Sequence, residues 1–273
     1  MATTYSTPRQ SSTPHLAKLR KWFLPLSLLG GVLLWQVVVL IAGLPAFILP
    51  SPLDVARRFI EMVVDGRLIL HTAVTLGEVL LGLLFGGTAA TLTGYMLAKS
   101  RSAEKLLSPY LIASQAVPVA AIAPLLVIWF GPGMGSKVLI CGLIVFFPVL
   151  INTIVGLRAV PENLRDVMRS MRATPRQTLL QLEIPAALPV FFAGLRVGAT
   201  LSVIGAVVGE LVGASQGLGF LINLGRGQYD TALVFVAVGG LISLALLLYG
   251  AVLLLEKQYL AWQTDPGEDN SNP

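Results

Sequence analysis

The sequence predicts an all-α integral membrane protein with six transmembrane helices, on three observations. Of its 273 residues, 55% are hydrophobic and only 12% are charged, where a soluble globular domain carries about 25% charged residues. Six stretches, 22–44, 72–98, 106–130, 138–157, 189–213 and 231–255, are long and apolar enough to cross a bilayer, which takes roughly 20 residues of helix. Between the fourth and fifth lies the one long, charged, capped segment, Val160 to Pro189. The first two observations exclude a soluble enzyme. The third marks a surface on the water side built to be gripped.

Residues 1–21 are polar and rich in Ser, Thr and Pro, and read as a disordered tail. The apolar run after them is too long for a signal peptide and lacks a small-residue cleavage site, so 22–44 is predicted as a helix of the mature protein. The segment 50–65 interleaves Leu53, Val55, Phe59, Ile60 and Val63 with Asp54, Arg57, Arg58 and Glu61, the pattern of a helix lying in the outer interface. The segment 217–228 is a weaker case of the same kind. Either can dock a substrate-delivering protein or simply rest on headgroups; spacing alone does not separate the two.

The third span carries Gln115, Pro118 and Pro124. Prolines at membrane depth are tolerated where the freed carbonyls meet protein or water. A broken helix beside a translocation path and a plain packing kink fit equally. The turn 131–137, GPGMGSK, fails as a phosphate loop because Ser136 stands where the second Gly belongs. Small-residue stripes at Gly82/Gly86/Ala90/Gly94, Gly194/Gly198 and Gly205/Gly209/Gly213 predict close helix contact, in a bundle or a dimer.

Ionisable groups at depth are expensive and face the bundle or a wet path. Here they are Glu78, Arg196 and Glu210. Arg196 and Glu210 share a face but lie about 21 Å apart on an ideal helix, so they cannot pair. Arg196 can snorkel or bind carbonyls. Glu78 and Glu210 fall toward the outer side and can share a proton or bond across helices. A structural or gating role is favoured over direct substrate contact. His15, His71 and Cys141 make no metal-ligand spacing, and one cysteine excludes an internal disulfide. Tyr229, Tyr249, Tyr259, Trp22 and Trp262 near span ends suit aromatic belts.

With six spans and both termini inside, the cytoplasmic segments hold Arg9, Lys18, Arg20, Lys21, Lys99, Arg101, Lys105, Arg158, Arg165, Arg169, Arg172, Arg176 and Lys257. The outer ones hold Arg57, Arg58, Arg67, Lys137 and Arg226. That asymmetry is the positive-inside rule, and it accounts for the net charge of +5 without a nucleic-acid partner.

The charged segment reads as two short helices and a bend. Pro161 suits a first helical position, with Glu162 in the first turn. Leu164, Val167, Met168 and Met171 make an apolar stripe, expected to lie beneath, and Arg165, Asp166, Arg169 and Arg172 fall on the other faces. Ala173-Thr174-Pro175 breaks and restarts the run: Thr174 caps, Pro175 takes N1 and Gln177 closes a capping box. Pro185 and Pro189 are expected to limit the second helix.

These residues resemble the cytoplasmic signature of bacterial ABC importer permeases: Glu-Ala-Ala, three residues, Gly, nine residues, Ile-x-Leu-Pro. The matching positions are Asp166-Val167-Met168, Arg172 and Leu182-Glu183-Ile184-Pro185. Arg172 replaces the Gly that best tolerates a left-handed bend. The text AALPVFFAGLRVG and VGELVGASQGLGFLI is similar to the nitrate/sulfonate/taurine branch, and with GQYDTALVF looks closer to its riboflavin and hydroxymethylpyrimidine (thiamine precursor) permeases.

The resemblance implies a type I importer (MetI-like) permease fold in the bacterial inner membrane. Residues 72–262 would form a five-helix core, 22–71 an extra first helix with its outer segment, and 263–273 a second tail. It implies two copies of this chain, two separate ATP-binding subunits and an external binding protein, with no cofactor and no catalysis in this chain. Residues 160–185 would be the coupling loop, with Leu164, Arg165, Asp166, Met168, Arg169, Arg172, Ala173, Thr174 and Pro175 meeting the ATPase. Gln115, Pro118, Glu78, Arg196 and Glu210 would line or gate the path. Two other classes compete: an ion-coupled transporter with Glu78 or Glu210 carrying a proton, and a membrane scaffold or enzyme subunit. Two acidic groups among three deep charges favour a neutral heterocycle over an anion such as sulfonate, taurine or nitrate.

Overall fold

The structure is a computed structural model that describes residues 14–260, with side chains from residue 25 onward except at 101 and 112. Of the N-terminal tail expected over 1–21, residues 14–21 are instead the first turns of α1, an extension of the apolar span that follows them. Residues 1–13, the tail expected over 263–273 and Trp262 lie outside the described residues, as do the side chains of His15 and Trp22. Eleven helices follow in order: α1 Pro14–Ala42, α2 Pro52–Val64, α3 Arg67–Lys99, α4 Arg101–Gln115, α5 Val119–Phe130, α6 Met134–Arg158, α7 Glu162–Ser170, α8 Pro175–Thr178, α9 Ile184–Gly213, α10 Leu218–Gly227 and α11 Thr231–Tyr259. Five are long and apolar enough to cross a membrane, or six if α4 and α5 count as one broken span.

The centre is a three-helix sheaf of α3, α6 and α9, and the small-residue stripes build it. A Cβ on Gly82 would lie 2.2 Å from the Cys141 Cβ, and one on Gly86 would lie 2.4 Å from the Gly142 carbonyl oxygen. The backbones of α3 and α6 therefore meet where only glycine fits. The stripe on α9 likewise faces α6, so these stripes are spent on contacts within the chain. Helix α11 closes the bundle against α9 through a core that includes Phe192, Val203, Leu233, Val236, Leu244 and Leu248. Helix α1 stands apart. None of its apolar window is buried, and Trp35 stacks on Phe235 of α11 at 5.1 Å.

Apolar side chains cover the outside of the sheaf, with Leu92 at 62%, Ile128 at 75% and Leu247 at 70% exposure. Lipid tails are as apolar as these side chains and carry no penalty for meeting them. Outside the sheaf, α2 is amphipathic and closed by a reciprocal cap: Ser51 accepts from the Asp54 N–H, and Asp54 accepts from the Ser51 N–H.

One open choice is decided, in favour of a broken third span, and three expectations need correction. The third span is two helices bent by 91° at 116–118. Gln115 ends α4 and Pro118 caps α5, while Pro124 sits inside α5 without breaking it. The turn after α5 ends at Gly133, because α6 begins at Met134 and takes Lys137 into its first turn. Lys137 is only 5% exposed and is not an outer-loop charge. Pro185 and Pro189 do not end a helix: α8 runs through one π turn, 179–183, straight into α9. Pro185 has no N–H to donate and its ring crowds the preceding turn, and the wider turn absorbs both. Finally, α7 has no buried residue, so its apolar stripe does not lie beneath.

Candidate functional site

Two regions hold most of the expected site residues, Arg196, Gln115 and Pro118 excepted, and they sit at opposite ends of the sheaf. The first is the elbow of α7 and α8. Helix α7 starts on the Pro161 carbonyl, which accepts from the Leu164 and Arg165 N–H groups. Its roll is set by Arg165, whose Nη2 turns inward to the Leu157 carbonyl at 2.9 Å and lies 3.9 Å from Glu183. That leaves Leu164 (43%), Val167 (53%) and Met171 (73%) exposed. Asp166 and Arg169 pair at 2.8 Å on the same water-facing helix, with Glu162 at 3.5 Å from Arg169.

The bend is a Schellman motif. The Ala173 N–H reaches back to the Met168 carbonyl and the Arg172 N–H to the Arg169 carbonyl, with Arg172 at φ 53°. This is the position where glycine is usual. The left-handed bend that the signature's Gly would supply is therefore made here by an arginine. Thr174 then starts α8 through its capping box: the Gln177 N–H donates to Thr174 Oγ1 and the Thr174 N–H to Gln177 Oε1.

Behind the elbow is a carboxylate that sequence reasoning quoted only as part of a motif. The Glu183 side chain is 3% exposed, and Lys99 at the end of α3 donates to both its oxygens at 2.7 and 2.6 Å. A parallel tie joins Arg158 to Glu104 through two bonds of 2.6 and 2.7 Å. Glu183 thus links α3 to the elbow through Lys99 and Arg165, and Arg165 ties α7 to the end of α6, while the Arg158–Glu104 pair braces α6 against α4.

The second region is a buried polar cluster near the other end. Glu210 of α9 accepts from the Thr75 hydroxyl at 2.6 Å and from the Gly219 N–H at 2.5 Å. Thr75 accepts from the Leu218 N–H at 2.9 Å, and His71 Nδ1 accepts from the Gly217 N–H at 3.0 Å. These are N–H groups at the start of α10, which no helix satisfies internally. Glu210, Thr75 and His71 therefore clamp α10 onto the sheaf. Gly217 makes the approach possible, since its φ is 112° and a Cβ there would sit 2.1 Å from Glu210 Oε1. Glu78 stands beside this clamp and pairs with Lys137 at 3.4 Å.

The structure brings Glu78 and Glu210 into one cluster and leaves Arg196 out of it. Arg196 lies 3.2 Å from Glu256 and over the Tyr249 ring at 5.9 Å. Lys137 is thus a fourth buried charge beside Glu78, and Glu256 pairs with Arg196, so two of the three expected deep charges have a counter-ion. Glu210 is held by hydrogen bonds instead. Gln115 and Pro118 are exposed at the α4–α5 break and touch neither cluster. Lys137 was missed because its glycine-rich flank reads as loop. His71 was missed because it reads as a helix end. The missing signal was depth, since both sit one turn inside a span.

A sheaf of membrane-crossing helices with an elbow pinned at one end and α10 clamped at the other is a multi-pass membrane protein. The chain belongs to the family of binding-protein-dependent transport system inner membrane components, which it matches over residues 82–260. It is a permease subunit of the ABC importer class. It is 46% identical over 240 residues to the riboflavin transport system permease protein RibX of Chloroflexus aurantiacus, covering 88% of this chain and 90% of that one. It is 34% identical over 232 residues to the formylaminopyrimidine transport permease protein ThiX of Halalkalibacterium halodurans, covering 85% and 92%. The aliphatic sulfonates transport permease protein SsuC of Bacillus subtilis, a putative assignment in its own name, is 33% identical over 232 residues, covering 85% and 84%. In solved structures, the MetNI methionine ABC transporter in inward facing conformations shares the fold, with TM-score 0.63 and 18% identity over 72% of this chain and 97% of that chain.

Proposed function

We propose that this chain is one of two identical permease subunits of a vitamin importer, moving riboflavin or a related precursor handed over by an external binding protein. ATP is hydrolysed on two separate subunits, and residues 160–185 are the handle they work. Both termini and the elbow face the cytoplasm. Leu164, Arg165, Asp166, Met168, Arg169, Arg172, Ala173, Thr174 and Pro175 meet the ATP-binding subunit. Gln115 and Pro118 border the path, Glu78 and Glu210 hold its outer gate, and Arg196 steadies α9 against α11.

The observation that carries this reading is the outward roll of α7. An isolated short helix with Leu164, Val167 and Met171 in water is uncomfortable, whereas the same face beside Asp166 and Arg169 fits a partner's groove. The Lys99–Glu183 pair and the contacts of Arg165 with Glu183 and the Leu157 carbonyl supply stiffness, so a push on α7 reaches α9, α3 and α6. Co-purification tests it: the ATP-binding subunit is expected to be lost with Asp166→Lys or with deletion of 167–174. Retention of the subunit in both variants would refute the handle.

Similarity to the riboflavin permease supports the substrate, at higher identity than the sulfonate permease named above. The reading is checked at the cognate binding protein by calorimetry with riboflavin, taurine and nitrate. Tight taurine or nitrate binding with none for riboflavin would move the importer to its anion branch.

A further inference from the structure

Two cavities meet at the inner end of the sheaf and differ in chemistry. One is a crevice of about 380 Å³ with an almost wholly apolar wall, including Leu92, Leu157, Ala187, Leu188 and Phe191. The other is a cleft of about 430 Å³ walled by Lys99, Arg165, Arg169, Thr178 and Glu183. Tyr95 lines both, and Lys99 lies over its ring at 5.9 Å. The order along the helices is consistent. Leu92 lies seven residues, about 10 Å, deeper along α3 than Lys99, and Phe191 about 12 Å deeper along α9 than Glu183. The apolar crevice is therefore at tail depth and the basic cleft at headgroup depth.

We propose that the pair is a binding site for one anionic phospholipid of the cytoplasmic leaflet, with an acyl chain in the crevice and the phosphate in the cleft. Three cations and one carboxylate wall the cleft. That carboxylate, Glu183, is already held by Lys99 at 2.6 Å. Arg165 spends Nη2 on the Leu157 carbonyl and lies 3.9 Å from Glu183, so the one carboxylate of the cleft is shared between two of its cations. Arg169 is shared with Asp166 and Glu162 and keeps further donors for the headgroup. Basic pockets between spans on the cytoplasmic side recognise acidic headgroups in this way. A bound lipid would bridge α3, α9 and the elbow at the π turn, where motion of the handle enters the membrane. The site rests on the proposed orientation of the elbow.

The test is native mass spectrometry of the full chain with phosphatidylglycerol, phosphatidylcholine and inorganic phosphate. Phosphatidylglycerol is expected to be retained over phosphatidylcholine and not displaced by an equal concentration of phosphate. Arg169→Gln is expected to lower its retention about fivefold; the Arg169 side chain is 69% exposed, so the variant folds. Thr91→Trp fills the crevice, leaves every charge in place and is expected to lower retention as well. Equal retention of the two lipids, indifference to both variants, or full displacement by phosphate would overturn the site. So would cross-linking of two copies through Leu92→Cys, which would show a second copy covering the crevice. Labelling of Val167→Cys by an impermeant thiol reagent is read separately. Labelling only from the outer side would sink the orientation, and labelling only from the cytoplasmic side with no lipid retained would sink the lipid site alone.

Discussion

A left-handed arginine stands at the bend of the elbow because two carbonyls at the end of α7 need donors and only that conformation supplies them. The cost of αL for a residue with a Cβ is roughly 1–2 kcal/mol, partly offset by the smaller unfolded-state entropy of arginine than of glycine. Arg172→Gly is therefore expected to stabilise the elbow by about 1 kcal/mol, read as slower hydrogen exchange at the Arg172 and Ala173 amides; faster exchange would contradict the strain. Thr174→Ala removes a cap worth about 1 kcal/mol and is expected to fray 175–178 while leaving the sheaf intact. Lys137→Met leaves Glu78 buried without its cation, a loss of roughly 3–5 kcal/mol for such a pair. A thermal midpoint equal to that of the parent would contradict the Lys137–Glu78 pairing. Thr174 was legible because its capping box is local. Lys137 was not, because its partner is 59 residues away in sequence on α3, and its flank of glycines carries the signal of a turn.

At the scale of the element, periodicity reports that a helix has an apolar stripe but not which way the stripe faces. Helix α7 shows this: its stripe was readable, yet Arg165 bound to Leu157 O rolls it outward. The prolines at 185 and 189 likewise mark a disturbance whose form periodicity does not give: a π turn at 179–183 that continues into α9 and not an end. The α3–α6 contact was readable in the glycine stripe. Gly86→Ala must push on the Gly142 backbone at 2.4 Å, an overpacking cost of about 1–3 kcal/mol; an unchanged thermal midpoint would contradict the close approach. Helix α2 carries the pH-sensitive element outside the spans. Its Asp54 carboxyl is held below the ordinary carboxylate range, first by the Ser51 hydroxyl and then by the Ser51 N–H. A depressed folded value stabilises α2 above its ordinary value of about 3.8 and loses that contribution as pH falls toward the depressed one. Protection of the amides of 53–55, relative to their intrinsic exchange rates, is thus expected to fall below about pH 4, and Asp54→Asn to abolish that pH dependence.

For the whole molecule, one sheaf holds a different set of contacts at each end. One end ties α10 to α3 and α9 through Glu210, Thr75 and His71. The opposite end ties the elbow to α3, α6 and α9 through Glu183, Arg165 and Lys99. Helices α3 and α9 take part in both ends and pack closely on α6, so a displacement of the elbow is expected to reach the α10 clamp as movement of whole helices. The break at 116–118 is the one place where a span is interrupted among the described residues. The membrane class was legible from composition and the bent shape of the elbow from its caps. The ties at the two ends were not, since Lys99–Glu183 and Thr75–Glu210 join residues 84 and 135 apart in sequence.

The account stands most directly on who touches α7. A photo-cross-linking side chain at Val167 in the assembled importer is predicted to capture the ATP-binding subunit, while one at Phe59 on α2 captures none of it. Capture of the ATP-binding subunit from Phe59, or of the external binding protein from Val167, would contradict the account.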